Sequence, residues 1–268
     1  MIKLKLTVLG CWAPYPRAGG ACSGYLLEGG GLKIMLEAGS GTLGRLMERL
    51  DYRTLDAVIV THLHHDHYLD LFQLRHAIEA ARRDGRLKKP LDLYLPETPP
   101  SEYNLLCSYQ QAFKVRSIDS LEEVALSGGF TAKRLELPGL SIRLVPTVHL
   151  IPGYAVSFQE TGADGSRLVF SGDTAPTGQF AALARGADLL LCEASGLNKD
   201  LAQMTKAHCT AGQAGAIARA AAAGRLLLTH FFPEYDLAEL SAQAEETYGA
   251  PVTAVREGET YEVRGLGQ

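Results

Sequence analysis

The segment Asp56-Ala57-Val58-Ile59-Val60-Thr61-His62-Leu63-His64-His65-Asp66-His67 decides how this chain is read. Its first five residues include a short, uninterrupted, β-branched apolar run, the pattern of a buried strand. From Tyr68 to Ile78 the apolar residues are spaced at three and four, as on one face of a helix. The histidines therefore occupy a strand-to-helix turn. In extended backbone His62 and His64 point to the same side, so two imidazoles can converge on one ion. Past the turn, Asp66 and His67 leave the chain in a different direction and can hold a second. Four of the eight histidines fall within positions 62–67, a density that points to metal rather than to a polar loop rich in histidine.

The rest of the composition is that of an ordinary globular protein. The 268 residues, 46% apolar and 21% charged, are enough for a substantial core, and no Pro/Ser-rich linker divides them, so one domain spanning 1–268 is expected. Met1 to Leu6 alternates polar and apolar residues like a strand and lacks a signal-peptide core, and no apolar run reaches membrane-span length. The expected compartment is the cytoplasm, with no membrane partner. Five scattered cysteines, Cys11, Cys22, Cys107, Cys192 and Cys209, form neither a paired framework nor a C-x-x-C knuckle. A net charge of -4 argues against a general nucleic-acid-coating protein. The basic cluster Arg82 to Lys89 reads as a solvated helix end more readily than as a phosphate contact.

Strands are predicted over Lys3–Leu9, Gly24–Glu28, Leu32–Glu37 and Leu91–Leu95, with a Gly29-Gly30-Gly31 hairpin turn. The loop 10–23 carries Trp12, Tyr15 and Arg17, which either line a substrate entrance or fold on their own aromatics. Gly39-x-Gly41 lacks the other marks of a phosphate loop and reads as a tight turn beneath the histidine loop, leading to a helix that ends near Leu50. Between Pro96 and Asp119 the signal is weakest: a helix start at Pro99-Pro100 and the aromatics Tyr103, Tyr109 and Phe113 suggest a small helical cover. Phe130 to Thr147 holds two strands, the second ending beside His149. Tyr154–Glu160 and Arg167–Phe170 pair across a turn at Gly162-Ala163-Asp164-Gly165. Ser171-Gly172-Asp173 follows directly, so Asp173 is placed either to bridge two cations or to cap a helix. Leu189–Cys192 leads to Glu193-Ala194-Ser195. Thr210 and Gln213 form a capping box for an alanine-rich helix stopped by Gly224, which leaves His208 just outside its N-terminus. Arg225–Thr229 presents His230 at a strand end, Asp236–Tyr248 is a helix, and Gly249–Gly265 supplies closing strands.

His-x-His-x-Asp-His after a strand resembles the metallo-β-lactamase superfamily of metal-dependent hydrolases. Val148-His149, Ser171-Gly172-Asp173-Thr174 and Leu228-Thr229-His230 fall in that superfamily's order along nearly the whole chain. Composition alone gives only α/β or α+β; the resemblance implies an α+β, four-layered αββα sandwich with its site at the mouth between two sheets. It also implies that His62, His64 and His149 hold one ion, that Asp66, His67 and His230 hold a second, and that Asp173 bridges. Imidazole and carboxylate suit zinc first, manganese or iron less selectively.

Within the superfamily, Glu193-Ala194, Ala207-His208-Cys209-Thr210 and Leu228-Thr229-His230-Phe231 resemble the ribonuclease Z branch. There a Glu, a His and the motif Asp act as a proton relay; here they would be Glu193, His208 and Asp66. Those enzymes grip tRNA with a long arm between the equivalents of His149 and Asp173, whereas this interval holds two strands and a tight turn. The expected substrate is therefore a small or cyclic nucleotide-type phosphodiester rather than tRNA. An acyl hydrolase (lactonase, thioesterase or β-lactamase-like) is the alternative, because the same chemistry can attack a carbonyl. A metal-stabilised, non-enzymatic binding module is a third class, and a homodimer is compatible with all of them.

Overall fold

The computed structural model describes residues 4–162, 165–204 and 206–265. The first half holds β1 (Lys5–Gly10), β2 (Gly24–Gly29), β3 (Leu32–Ala38), α1 (Thr42–Met47), β4 (Ala57–Ile59), α2 (His65–Tyr68), α3 (Leu71–Arg83), β5 (Leu91–Leu95), α4 (Pro100–Ser108) and β6 (Phe113–Ser117). The second holds β7 (Glu123–Ala125), β8 (Thr131–Leu137), β9 (Leu140–Pro146), β10 (Tyr154–Glu160), β11 (Arg167–Phe170), α5 (Gly178–Ala184), β12 (Leu189–Glu193), α6 (Leu201–Met204), α7 (Ala211–Ala220), β13 (Leu226–Thr229), α8 (Leu237–Tyr248), β14 (Val252–Ala254) and β15 (Thr260–Glu262).

Two mixed sheets result, ordered β15-β1-β2-β3-β4-β5-β6 and β14-β13-β12-β11-β10-β9-β8-β7. In each, an antiparallel meander gives way to parallel strands joined through helices: β3 to β6 in the first sheet, β11 to β14 in the second. Period-two alternation makes the layers. Ile34, Leu36 and Ile59 join the large core that also takes in Ile142, Leu144, Phe158 and Phe170 of the other sheet. Their neighbours Met35, Val58 and Val60 face the opposite way, onto Leu71, Leu74 and Ile78 of α3 and Leu106 of α4. On the far side α5, α7 and α8 add Phe180, Ala214 and Leu240 to the large core. The predicted αββα sandwich of the metallo-β-lactamase fold is thus what the chain forms.

Several local expectations shift. The predicted helix after the histidines breaks at Leu69-Asp70 and runs on to Arg83; the Asp70 carboxylate accepts the Leu43 amide at the start of α1, 2.7 Å. Phe113 opens β6 instead of covering a helix, and β6 and β7 are strands that the sequence hides, because Lys114, Arg116 and Glu123 face outward in these short elements. The Thr210–Gln213 capping box is present, but α7 ends at Ala220 and Ala222 takes the left-handed backbone expected of Gly224. Lys3, Ala163 and Asp164, assigned to the first strand and to the β10–β11 turn, lie outside the described residues. Arg82 and Arg83 end α3 as a solvated helix end should.

Gly39 is the tight contact beneath the histidine loop. A Cβ there would stand 2.7 Å from the Ser23 carbonyl oxygen and closer still to that of Asp66. Gly39→Ala should therefore lower unfolding free energy by about 1–3 kcal/mol, as overpacking does. Gly44, exposed in α1 with open space around it, should instead gain about 0.5–1 kcal/mol as alanine. Urea denaturation of both variants checks this; equal effects would remove the packing role of Gly39.

Candidate metal centre

The site is built from strand ends. His62 and His64 follow β4, His64 in extended backbone, and α2 then turns Asp66 and His67 inward, His67 N–H donating to the His64 carbonyl at 2.9 Å. His149 follows β9, Asp173 follows β11, Glu193 ends β12, and His230 follows β13. These are the carboxyl ends of parallel or neighbouring strands, where open sheets present ligand groups. Gly172, at φ 56, allows the close pass; a Cβ on it would meet the Tyr154 carbonyl oxygen at 2.6 Å. His230 and Glu37 also lie at positive φ, 60° in each, a conformation that side-chain-bearing residues adopt only under constraint. Asp173 caps no helix: α5 is capped by Thr177, whose Oγ1 accepts from Phe180 N–H at 3.0 Å.

One carboxylate oxygen is the hub. Asp173 Oδ2 lies 3.1 Å from His230 Nε2, 3.4 Å from His67 Nε2, 3.5 Å from His62 Nε2 and 3.7 Å from His149 Nε2. On one side, His62, His64, His149 and Asp173 gather their donor atoms, with His64 Nδ1 and His149 Nε2 2.9 Å apart. On the other, Asp66 Oδ2, His67 Nε2 and His230 Nε2 form a triangle with edges of 3.3, 3.5 and 3.6 Å. An ion about 2.0–2.1 Å from tetrahedral ligands sets them roughly 3.3 Å apart, so both groups have the spacing a cation requires. Moreover Asp173 Oδ1 and His62 Nε2 are buried without a hydrogen-bond partner, an arrangement that costs free energy unless a cation meets them.

On His149, His62 and His230 the opposite nitrogen has a hydrogen-bonding neighbour, which fixes ring orientation as metal-binding histidines need. His149 Nδ1 donates to the Ala207 carbonyl at 2.8 Å, His62 Nδ1 sits 3.2 Å from Thr61 Oγ1, and His230 Nδ1 lies 2.8 Å from Ser195 Oγ. His67 Nδ1 is 3.5 Å from the carboxylate of Glu37, which also accepts the Thr61 amide at 3.1 Å. Burial holds His62, His64 and His149 below the usual imidazole range, in the neutral form a ligand uses. Burial alone would raise Asp66 and Asp173, but the surrounding imidazoles hold both carboxylates ionised. Those carboxylates in turn lift His67 and His230 despite burial.

Glu193 and His208 pair as the sequence suggests. Glu193 is anchored by the Thr174 amide and the Ser195 hydroxyl, each at 2.5 Å, and accepts from His208 Nδ1 at 3.0 Å. Burial would lower His208, yet the Glu193 carboxylate outweighs it and raises the imidazole above its ordinary value. Asp66 sits against His67 and His230, so its connection to His208 runs through His230, whose ring stacks on that of His208 at 5.5 Å. Two residues of this network escaped sequence reasoning. Ser195 links His230 to Glu193, and Glu37 backs His67; a charged residue ending the apolar run Ile34-Met35-Leu36 was the available signal.

Of these groups His64, Asp66, His149, Asp173, His208 and His230 line a cavity of about 480 Å³. His65 lines it too, its ring 5.8 Å from Tyr68. From the loop 10–23 the lining residues are Ala13 and Pro14. Trp12 is buried edge-on to Phe231 with Arg17 over its ring, and Tyr15 packs on Phe232, so the loop's aromatics pack on the segment after β13 while Ala13 and Pro14 face the cavity.

A family profile described as Beta-lactamase superfamily domain matches residues 20–231. The Probable metallo-hydrolase YhfI of Bacillus subtilis is 28% identical over 261 residues, covering 97% of this chain and 100% of that protein. Its crystal structure, titled as a metallo-beta-lactamase fold protein, superposes with a TM-score of 0.86 at 26% identity, over 97% of this chain and 100% of its own. A Ribonuclease Z of Bradyrhizobium sp. is 29% identical over 92% of this chain and 95% of its own. Human tRNase Z, short form, shares the fold at a TM-score of 0.72 and 21% identity, over 97% of this chain and 99% of its own. With strand-end histidines and aspartates gathered at the mouth of two facing sheets, the chain belongs to the beta-lactamase superfamily and carries its metallo-hydrolase fold.

Proposed function

We propose that this chain is a dinuclear metal-dependent phosphodiesterase acting on a small or cyclic nucleotide-type phosphodiester. His62, His64 and His149 would hold one ion, Asp66, His67 and His230 the other, and Asp173 would serve both. The observation that carries this reading is the Asp173 carboxylate, one oxygen ringed by four imidazole nitrogens at 3.1–3.7 Å and the other left unpaired. Divalent ions there, zinc foremost, supply Lewis acidity and bring the pKa of water to about 7.

The chain's own residues supply the rest. Glu193, held by Thr174 and Ser195, keeps the Nδ1–H of His208 pointed at itself and stabilises the charged ring. No described residue pairs with the other nitrogen, and the ring lines the cavity. As water oxygen bonds to phosphorus and gives up a proton to solvent, the ester P–O bond breaks and His208 Nε2 gives its proton to the departing alkoxide; solvent then reprotonates the ring. Support for a small substrate comes from the interval between His149 and Asp173, whose described residues form only the β10–β11 pair. Support for phosphoryl chemistry comes from the relatives named ribonuclease Z. Acyl hydrolysis is the second reading, favoured by the apolar sides of the cavity, which suit a lactone or thioester.

If Asp173 bridges, Asp173→Ala should lose bound metal and turnover together, whereas a merely structural Asp should cost about 1 kcal/mol of stability and leave both. Elemental analysis beside denaturation separates the two.

His208→Ala should slow an unactivated phosphodiester by about 10²- to 10⁴-fold, because an alkoxide needs a proton to leave. Bis(4-nitrophenyl) phosphate, whose nitrophenolate leaves unaided, should be slowed far less. Equal losses in kcat/KM at equal zinc content would remove the general-acid role. Good lactone or thioester turnover without phosphodiester turnover would promote the second reading, and zinc-loaded protein inert toward both ester classes would indicate a binding module.

A further inference from the structure

The cavity above Asp173 is chemically divided. Its floor is carboxylate and imidazole, while Ala13, Pro14, Leu150, Met204 and Phe232 line it elsewhere, and no Lys or Arg is among its described lining residues. Leu150 is 71% exposed, the largest exposure among the described large apolar side chains, and it is next to His149 in the chain. Its side chain thus offers apolar surface to a ligand at the cavity.

Phe232 is braced from behind. Its ring meets Tyr15 at 5.8 Å and Tyr235 at 5.3 Å. Those tyrosines are tied in turn: Tyr15 hydroxyl donates to Glu234 at 2.6 Å, and Tyr235 hydroxyl to Asp200 at 2.9 Å. The ring is therefore held at the cavity with little rotamer freedom left to lose on contact, which favours stacking against a flat partner. The scissile diester brings one negative charge, and the floor is where a cation would answer it. A second anionic group lying against the apolar walls would find no Lys or Arg among the described lining residues to receive it.

We infer that Phe232 and Leu150 are specificity-determining residues that select a diester by a flat, apolar substituent, so that the ester's ring system, not further phosphates, supplies recognition. This rests on the phosphodiesterase reading. A pocket of this kind separates ligands by contact area, and one added ring should be worth at least about tenfold in affinity.

Diphenyl phosphate and dimethyl phosphate carry the same single charge and differ only in their substituents. Calorimetric titration of zinc-loaded protein should give a Kd for diphenyl phosphate at least about tenfold lower. In Phe232→Ala that ratio should fall at least fivefold, and in Phe232→Tyr it should be kept. Damage to the fold would weaken both ligands and leave the ratio unchanged, which would overturn the assignment, as would equal binding of the two by the parent. Leu150→Ser, at an exposed position that folding tolerates, should lower the ratio about threefold and keeps the test decisive if Phe232→Ala does not fold. Turnover of bis(4-nitrophenyl) phosphate by the parent is measured alongside. A flat ratio with good turnover defeats only the wall, and a steep ratio without turnover defeats only the phosphodiesterase reading.

Discussion

A buried carboxylate surrounded by imidazoles is the constraint on which the rest depends. Asp173 is 4% exposed, and water cannot stabilise its charge. Its partners come from both halves of the sandwich: His62 and His67 from the turn after β4, His149 and His230 from the ends of β9 and β13. The sheet-on-sheet core therefore does more than bury apolar surface. It sets the separation at which two groups of donor atoms share one oxygen, and the left-handed backbone at Glu37 and His230 is tolerated because that packing overdetermines it.

The polar network continues past the cluster. His230 reaches Ser195, Ser195 reaches Glu193, and Glu193 reaches His208, each link between 2.5 and 3.0 Å. In a low-dielectric interior such a chain of hydrogen bonds is cooperative, so the charge at the cluster and the protonation of His208 are coupled. One physical arrangement thus serves both the candidate ion-binding groups and the candidate proton donor.

Much of this was legible because the informative residues are contiguous or end strands. His62 to His67 lie in one six-residue run, and periodicity alone placed it at a strand-to-helix turn. The chain order of His149, Asp173 and His230 was readable through resemblance, since a single histidine after a strand has no signature of its own. Glu37 and Ser195 were missed because their roles arise only from tertiary approach: Glu37 meets Thr61 and Ser195 meets His230 across 24 and 35 residues of chain. Trp12 left two readings open, an entrance or a packed loop, because only tertiary contact makes its ring core. Strand β6 was obscured by Lys114 and Arg116, which face outward at the sheet edge and break the apolar run.

Anomalous scattering from crystals grown with zinc, recorded on both sides of the zinc absorption edge, addresses the two-ion centre most directly. Two peaks about 3.5–4 Å apart are expected, one among His62, His64 and His149 and one among Asp66, His67 and His230, with Asp173 touching both. A single peak, or peaks that leave Asp173 uncoordinated, would contradict it.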